Sequence, residues 1–296
     1  MARKSKSRRA KAKPAKVGWW ASLDTGLRRR LLRGVGTVVV VVSVTGAGSV
    51  ATTSVDQYVR RIVSERADPT VAFVDLPDGL VALARPDLDD AVGDVLTPGT
   101  WLDDEVCRRM GDRLEQVGWV SRVNYVRRTS DARFHVSCRY RQPAAMVQQD
   151  EAFFLVGAEG VRLPGKYLYN PALQLIQGVE APAPPAGTMW SGGDLRAALR
   201  ILEAIRLEPF AHQITAVLVG NFEGRLLPER THIELVTDRA GGRIRWGSAP
   251  GRELEENSLA DKIAILRENY RRTGRVDAGQ STIDISAVPN GIVISE

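Results

Sequence analysis

The longest apolar stretch of the chain is residues 34–55, which contain no charged side chain and include five consecutive valines from Val38 to Val42. As an α-helix this stretch would extend about 33 Å, close to the ~30 Å hydrocarbon core of a bilayer. The pattern therefore predicts one transmembrane helix. Five apolar positions mark it along its length: Gly34, Val38, Val42, Val50 and Val55.

The residues on the two sides of this stretch differ sharply in charge. Residues 1–33 carry twelve Lys and Arg and a single acid, Asp24, for a net charge of +11. Because the whole chain carries +6, residues 34–296 carry −5. A basic segment beside an apolar span is retained in the cytoplasm and can contact anionic lipid headgroups. We therefore predict a single-pass protein of the cytoplasmic (inner) membrane, with the bulk of the chain outside.

Two other interpretations of the N-terminal region stay open. The small residues at 49–51 fit cleavage by a signal peptidase, and Arg29-Arg30 fits a twin-arginine signal, although the basic segment is far longer than a signal peptide's. The basic tail could also bind nucleic acid. Its only aromatic residues, however, are Trp19 and Trp20, which fit a membrane interface better. We carry forward an uncleaved signal anchor without a nucleic-acid partner.

Residues 56–142 predict a juxtamembrane helix followed by a small α+β domain. Apolar positions spaced as in a helix continue over residues 54–66. Residues 71–76 form a short apolar run that ends at Pro77-Asp78-Gly79, which predicts a strand and then a turn. Thr100 with Asp103 predicts a capping box at the start of a helix through residue 117.

Residues 120–126 and 132–140, joined by Thr129-Ser130-Asp131, predict a hairpin of two strands, and the second strand alternates strictly between apolar and polar residues. Cys138 lies on the apolar side of the second strand, and His135 lies on its solvent side. Cys107 falls near the apolar face of the preceding helix, so a disulfide with Cys138 and two separate thiols are both open.

Residues 143–296 predict a larger β-rich domain of mostly antiparallel strands with packed helices. Capping boxes are predicted at Ser191 with Asp194 and at Ser258 with Asp261. The helix that follows Ser258 has an outer face that we predict to be basic: Lys262, Arg267, Arg271 and Arg272. The predicted strands are residues 152–156, 214–219, 231–237, 243–246, 282–286 and 291–295. The fold class is thus α+β.

The chemistry of common enzymes is missing from the sequence. It has no Gly-rich phosphate loop, nucleophile elbow or paired-His metal motif. The acids at 103–105 fit the first turn of a helix, where they interact with the helix dipole, and Glu255-Glu256 fits a solvated loop. We predict a protein that is not an enzyme and has no cofactor or metal. An envelope enzyme such as a wall hydrolase is the least favoured alternative, because only three histidines are present.

Four segments, in this order, resemble the FtsQ/DivIB family of bacterial cell-division proteins. Residues 118–128 (GWVSRVNYVRR) are similar to the family's Trp-Val strand, and residues 136–145 (VSCRYRQPAA) to its Glu-Arg-x-Pro-x-Ala strand. Residues 154–161 (FLVGAEGV) resemble its Leu-Val-Asp hairpin. Residues 282–286 with 289–294 resemble its C-terminal hairpin.

The resemblance implies a basic tail, one membrane span, a small POTRA domain with the order strand-helix-helix-strand-strand (residues 56–142, with the juxtamembrane helix) and a β domain (residues 143–296). In the family the β domain binds the FtsB/FtsL pair and so controls septal wall synthesis. The implied contact adds a partner strand to the last strand of the sheet. The expected contact residues are Gly291, Ile292, Val293, Ile294 and Ser295, with Arg267 and Arg271. The run from 292 to 294 is apolar on both faces, which fits either this contact or burial of Val293 under the preceding helix.

A second class of function is a POTRA-bearing component of an envelope protein export or secretion system. In that case the POTRA domain would dock client proteins or a barrel. Localisation at midcell favours division, and a uniform or polar envelope signal favours export.

Overall fold

The computed structural model describes residues 69–97, 100–129, 132–287 and 293–294. They have the mixed α and β content that the sequence predicts, with four α-helices and two sheets in this part of the chain. Residues Ala67–Glu296 form one compact unit. The basic tail, the predicted span with its five marker residues, and the juxtamembrane helix lie outside the described residues. Among the helices that are described, none is long and apolar enough to cross a membrane.

The first part of the unit is a three-stranded sheet with two helices. The strand order is β1-β3-β2, with β1 parallel and β2 antiparallel to β3. The hairpin predicted over residues 120–140 is confirmed. The elements are β1 (Thr70–Phe73), α1 (Asp78–Gly93), α2 (Val106–Glu115), β2 (Val120–Arg128) and β3 (Arg133–Tyr140).

The turn predicted at residues 77–79 is wrong, because helix α1 begins there with Pro77 at its N-cap. Its buried residues recur at helical spacing: Leu80, Ala84, Leu88, Ala91 and Val92. Pro86 lies inside the helix, where it removes one backbone hydrogen bond. Packing of the apolar face outweighs this local cost. Pro77 and Gly79 are typical of a turn, and for that reason the sequence predicted a turn where the packed helix begins.

Trp119 fixes the start of β2 against α1. Its side chain is fully buried, and its indole Nε1 donates a hydrogen bond of 2.9 Å to Asp87 Oδ2. Arg141, just past β3, donates from Nη1 to the carbonyls of Gly118, at 3.0 Å, and of Val120. The Trp-Val segment is therefore held by both the helix layer and the end of the hairpin.

The second part of the unit is an eight-stranded sheet in the order β11-β10-β9-β8-β7-β6-β4-β5. Its strands are β4 (Pro143–Gln149), β5 (Ala152–Gly157), β6 (Leu175–Gln177), β7 (Ile214–Leu218), β8 (Ile233–Thr237), β9 (Arg243–Gly247), β10 (Thr282–Asp284) and β11 (Val293–Ile294). Its helices are α3 (Gly193–Ile205) and α4 (Leu259–Thr273). The sheet is more mixed than predicted, since β4-β6, β6-β7 and β9-β10 are parallel and four pairs are antiparallel.

Both faces of the large sheet are buried at its β4–β7 end. Along each strand alternate residues enter different cores: Val147 packs in the core with α3, while Met146 packs in the core with α1 and α2. Ile176 and Leu175 divide in the same way. A strand covered on both sides needs no polar face, which explains why these segments read as apolar runs rather than alternations.

The predicted helix starts have mixed outcomes. Ser258 and Asp261 form the predicted capping box at α4. The boxes predicted at Ser191 and at Thr100 are wrong, because α3 has Gly192 as its N-cap and α2 begins only at Val106. Asp194 is instead buried and accepts hydrogen bonds from the Glu180 amide at 2.9 Å and from Arg225 at 3.0 Å. The spacing between Ser191 and Asp194 therefore does not indicate a capping box.

The parallel strands β6 and β7 end in a close backbone contact between Gly178 and Gly220. Gly178 has φ of 83°, and a Cβ added to it would lie 2.6 Å from both the Cα and the amide nitrogen of Gly220. Only glycine satisfies both the positive φ and the close approach.

We expect Gly178→Ala to lower the free energy of unfolding by about 3 kcal/mol, from a positive φ together with overpacking against backbone. Gly241→Ala is the matched control, because Gly241 has a φ of 75° and nothing within 4 Å of an added Cβ. It should cost only about 1 kcal/mol. Urea unfolding of both variants measures the difference, and equal losses would contradict the close contact.

Candidate partner interface

The two edges of the large sheet differ in what covers them. The edge at β5 is covered by the following segment, through bridges that pair Phe153 with Tyr167 and Val156 with Arg162. At the other edge, β11 has β10 as its only neighbour among the described strands. Because an uncovered strand edge presents unpaired backbone groups, β11 is the place where this sheet can accept another strand.

The register at this edge separates a buried row from a polar row. Ile294 pairs with Ile283, which is fully buried in the core that contains Ile263 and Leu266 of α4. Val293 pairs with Asp284, which is only half-buried. Asp284 in turn pairs with Arg245, and Arg245 with Glu234, so opposite charges alternate across this row. The polar row is typical of a face that no helix covers.

A short loop before α4 holds the chain that leads from β10 toward β11. Asn257 donates from Nδ2 to the carbonyls of Ile285, at 3.1 Å, and Ala287, at 2.6 Å. The backbone N–H of Asn257 donates to the carbonyl of Ser286 at 2.9 Å. A further bridge pairs Glu256 with Ala287. We call Glu256, Asn257 and Lys262 the 256–262 clamp.

The predictions for two of these residues are wrong. Lys262, expected on the basic outer face of α4, is fully buried, and Glu256, expected to be solvated, is its ion-pair partner at 2.9 Å. Lys262 Nζ also lies 5.4 Å from the centre of the Trp246 ring, and Glu256 accepts hydrogen bonds from the amide and hydroxyl of Ser248. The signal in the sequence was the position of Lys262, one turn from both Leu259 and Leu266 on the apolar stripe.

Two further side chains fix the other end of α4. Gln213 donates to the carbonyl of Gly274 at 3.0 Å and accepts from the Val276 amide at 2.9 Å. Asp277 is fully buried. Burial opposes its ionisation, but hydrogen bonds from Arg275, the Gly279 amide and Thr237 hold its pKa below the usual range. The helix that backs the β10–β11 end is therefore attached at both ends.

The structure separates the predicted contact residues into three groups. Val293 and Ile294 form β11, while Gly291, Ile292 and Ser295 lie outside the described residues. Arg267 and Arg271 are exposed on α4 but already have partners within the chain. Arg267 donates to Glu208 at 3.0 and 2.7 Å, which lowers the pKa of that carboxyl, and Arg271 donates to Glu268. To bind either guanidinium group, a partner would have to compete with the carboxylates of Glu208 and Glu268.

The remaining reactive side chains do not converge on one place. Both cysteines are free thiols; Cys138 is buried, which raises the pKa of its thiol to about 11, and Cys107 is half-buried. Within the described ranges, no group of three His, Cys, Asp or Glu side chains is placed to hold a metal ion. A cleft of about 300 Å³ beside α3 is lined by apolar side chains such as Met189 and Leu199, together with two arginines and two glutamates.

Comparison with known proteins adds no assignment, since no protein-family model matches the chain and no curated protein matches it in sequence.

We expect Glu256→Gln to lower the free energy of unfolding by about 3 kcal/mol, because it leaves the buried Lys262 ammonium without a counter-charge. Glu255→Gln, at the exposed neighbouring position, is the matched control and should change stability by less than about 0.5 kcal/mol. Adding Lys262→Met to Glu256→Gln should restore most of the loss in urea unfolding. If the double variant is as unstable as the single one, the cost does not come from the buried charge.

Proposed function

We propose that this chain is a membrane-anchored, non-enzymatic scaffold of the bacterial division machinery, resembling FtsQ/DivIB proteins. Its bulk lies outside the cytoplasmic membrane and binds an FtsB/FtsL-like partner at the division septum. The observation that carries this proposal is the difference between the two edges of the large sheet: β5 is covered, and β11 has no second neighbour among the described strands.

The order of elements supports the resemblance. A POTRA domain is implied for residues 56–142, and the described part of that range has the implied strand-helix-helix-strand-strand order, with β3 between β1 and β2. The β-rich part that follows is a large sheet that ends on the C-terminal hairpin of β10 and β11.

The register supports a role for Val293 in partner binding over burial under α4. Val293 belongs to the row of Asp284, whereas the row of Ile283 is the one packed with α4. A partner strand added beside β11 would gain main-chain hydrogen bonds along the edge and contacts with alternate residues. The 256–262 clamp would keep the edge in a fixed position, which lowers the ordering cost of binding.

The competing proposal, a component of protein export, rests on the same strand-helix-helix-strand-strand domain. It differs in location rather than in fold. We expect a fluorescent fusion of the full chain to form a band at midcell before constriction. A signal spread evenly around the envelope throughout the division cycle would contradict the division proposal and favour export.

We expect Val293→Lys to weaken binding to the cognate FtsB/FtsL-like pair by tenfold or more, which corresponds to ~1.4 kcal/mol. The new charge would disrupt an apolar contact with the added strand. The fold should persist, because the lysine would lie in the row of Asp284. The measurement is titration of the full chain, held in nanodiscs, with the purified pair.

The matched control is Val81→Lys, the same substitution at an exposed valine on α1. It should leave the affinity unchanged. Unchanged affinity in Val293→Lys, with thermal unfolding as in the parent chain, would eliminate strand addition at β11.

A further inference from the structure

The outer face of the three-stranded sheet is a second surface that the partner proposal does not use. Both helices and the buried apolar residues lie on the other side of this sheet. Residues of β2 and β3 that pair across this outer face are Arg122 with Arg139, Tyr125 with Ser137, and Arg127 with His135, and Arg133 joins them opposite Thr70 of β1. We call this set the basic sheet face.

The arginines of the basic sheet face stand in an unusual arrangement. Arg122 and Arg139 are direct cross-strand neighbours, and Arg127 is opposite a histidine. Like charges placed opposite each other destabilise a sheet, and opposite charges would stabilise it. In the described part of the chain, no ion pair or side-chain hydrogen bond neutralises these three arginines. The acid on this face, Asp75 at the end of β1, is bound by the Ser137 hydroxyl.

Two exposed apolar side chains accompany the charges. Tyr125 lies among the arginines and is 49% exposed, and Val74, just past β1, is 54% exposed. Ser137, beside them, is buried and accepts a hydrogen bond of 3.0 Å from Asn124. A flat face of arginines around an exposed tyrosine has the composition of residues that lie at a membrane–water interface.

The opposite side of the same small sheet carries the opposite charge. Residues 78–115, which supply both helices, contain ten acids and four arginines. Residues 120–140, which supply β2 and β3, contain five arginines and one acid. The separation gives this part of the protein a strong electrical asymmetry. An anionic surface would therefore orient it with the sheet toward the surface and the helices away from it.

We propose that the basic sheet face docks on anionic phospholipid headgroups of the membrane in which the chain is anchored; this rests on the predicted span of the proposed function. The predicted span ends at residue 55, and the first described strand begins at Thr70. The 14 residues between them reach about 21 Å as a helix and at most about 50 Å extended. That reach keeps the sheet close enough to the headgroups to bind them.

The test uses the full chain in nanodiscs, with a Cys107→Ser background and a fluorescent label at Tyr125→Cys or, as a control on the helix side, at Asp90→Cys. The discs contain a headgroup-attached quencher in phosphatidylcholine, with or without phosphatidylglycerol. We expect quenching at position 125 only in the phosphatidylglycerol discs. In about 1 M NaCl, where the Debye length is about 3 Å, the quenching should disappear. Position 90 should stay unquenched throughout.

Replacing Arg122, Arg127 and Arg139 by Gln should lower the equilibrium constant for docking about a hundredfold, from about fivefold for each arginine near an anionic membrane. It should not lower the melting temperature, since it removes like-charge pairs. The matched control replaces Arg196, Arg206 and Arg230, exposed arginines elsewhere on the unit, and should leave docking intact.

Equal quenching at position 125 in both kinds of disc, or no effect of the triple variant, would overturn lipid docking. Loss of FtsB/FtsL-like partner binding in the triple variant, without any lipid-dependent quenching, would instead assign the face to an acidic protein. If the chain does not remain in the discs at all, the anchor fails rather than the docking surface. Quenching by added phosphatidylglycerol vesicles then still tests the face by itself.

Discussion

The large sheet depends on a single constraint, which is that strands β4 to β7 must be covered on both faces. Met146 and Val147, adjacent in β4, enter two different cores, and one of these cores is completed by the three-stranded sheet and its helices. Strands of the large sheet therefore contribute side chains to the cores of both parts of the unit. Removing either cover would expose a row of apolar side chains, so the small sheet with α1 and α2 is part of what keeps the large sheet folded.

The cover ends before the last strands, and this leaves the two surfaces that the proposals use. From β8 to β10 one row is buried with α4 and the other is polar, and the sheet stops at β11 without a further described neighbour. The 256–262 clamp holds the chain that leads from β10 toward β11. On the small sheet, α1 and α2 cover one face only, so Arg122, Arg127, Arg133 and Arg139 remain exposed. A partner strand and a membrane surface would thus meet different parts of the same unit.

Several elements could be predicted because their signal is local. The second strand of the β2–β3 hairpin follows from strict alternation, and the start of α4 follows from Ser258 and Asp261, whose capping bonds involve residues three apart. The failures come from local signals that long-range contacts override. Helix α1 was not predicted because Pro77 and Pro86 are unfavourable in a helix. Ser191 and Asp194 have the spacing of a capping box, but Asp194 accepts a hydrogen bond from Arg225 in a distant loop. Lys262 read as a surface charge because Glu256 belongs to another element.

The sequence by itself determined the charge division at residue 34, the predicted span, and the apolar faces of the hairpin and of α4. These are properties of neighbouring residues, and periodicity expresses them directly. Only the tertiary structure decided the parallel pairing of β6 and β7, the burial of Lys262, the place of β11 at the edge of the described sheet and the facing arginines at 122 and 139. Periodicity shows which side of an element is apolar. It does not show which distant element covers that side, and here that cover decides which surfaces remain free to bind.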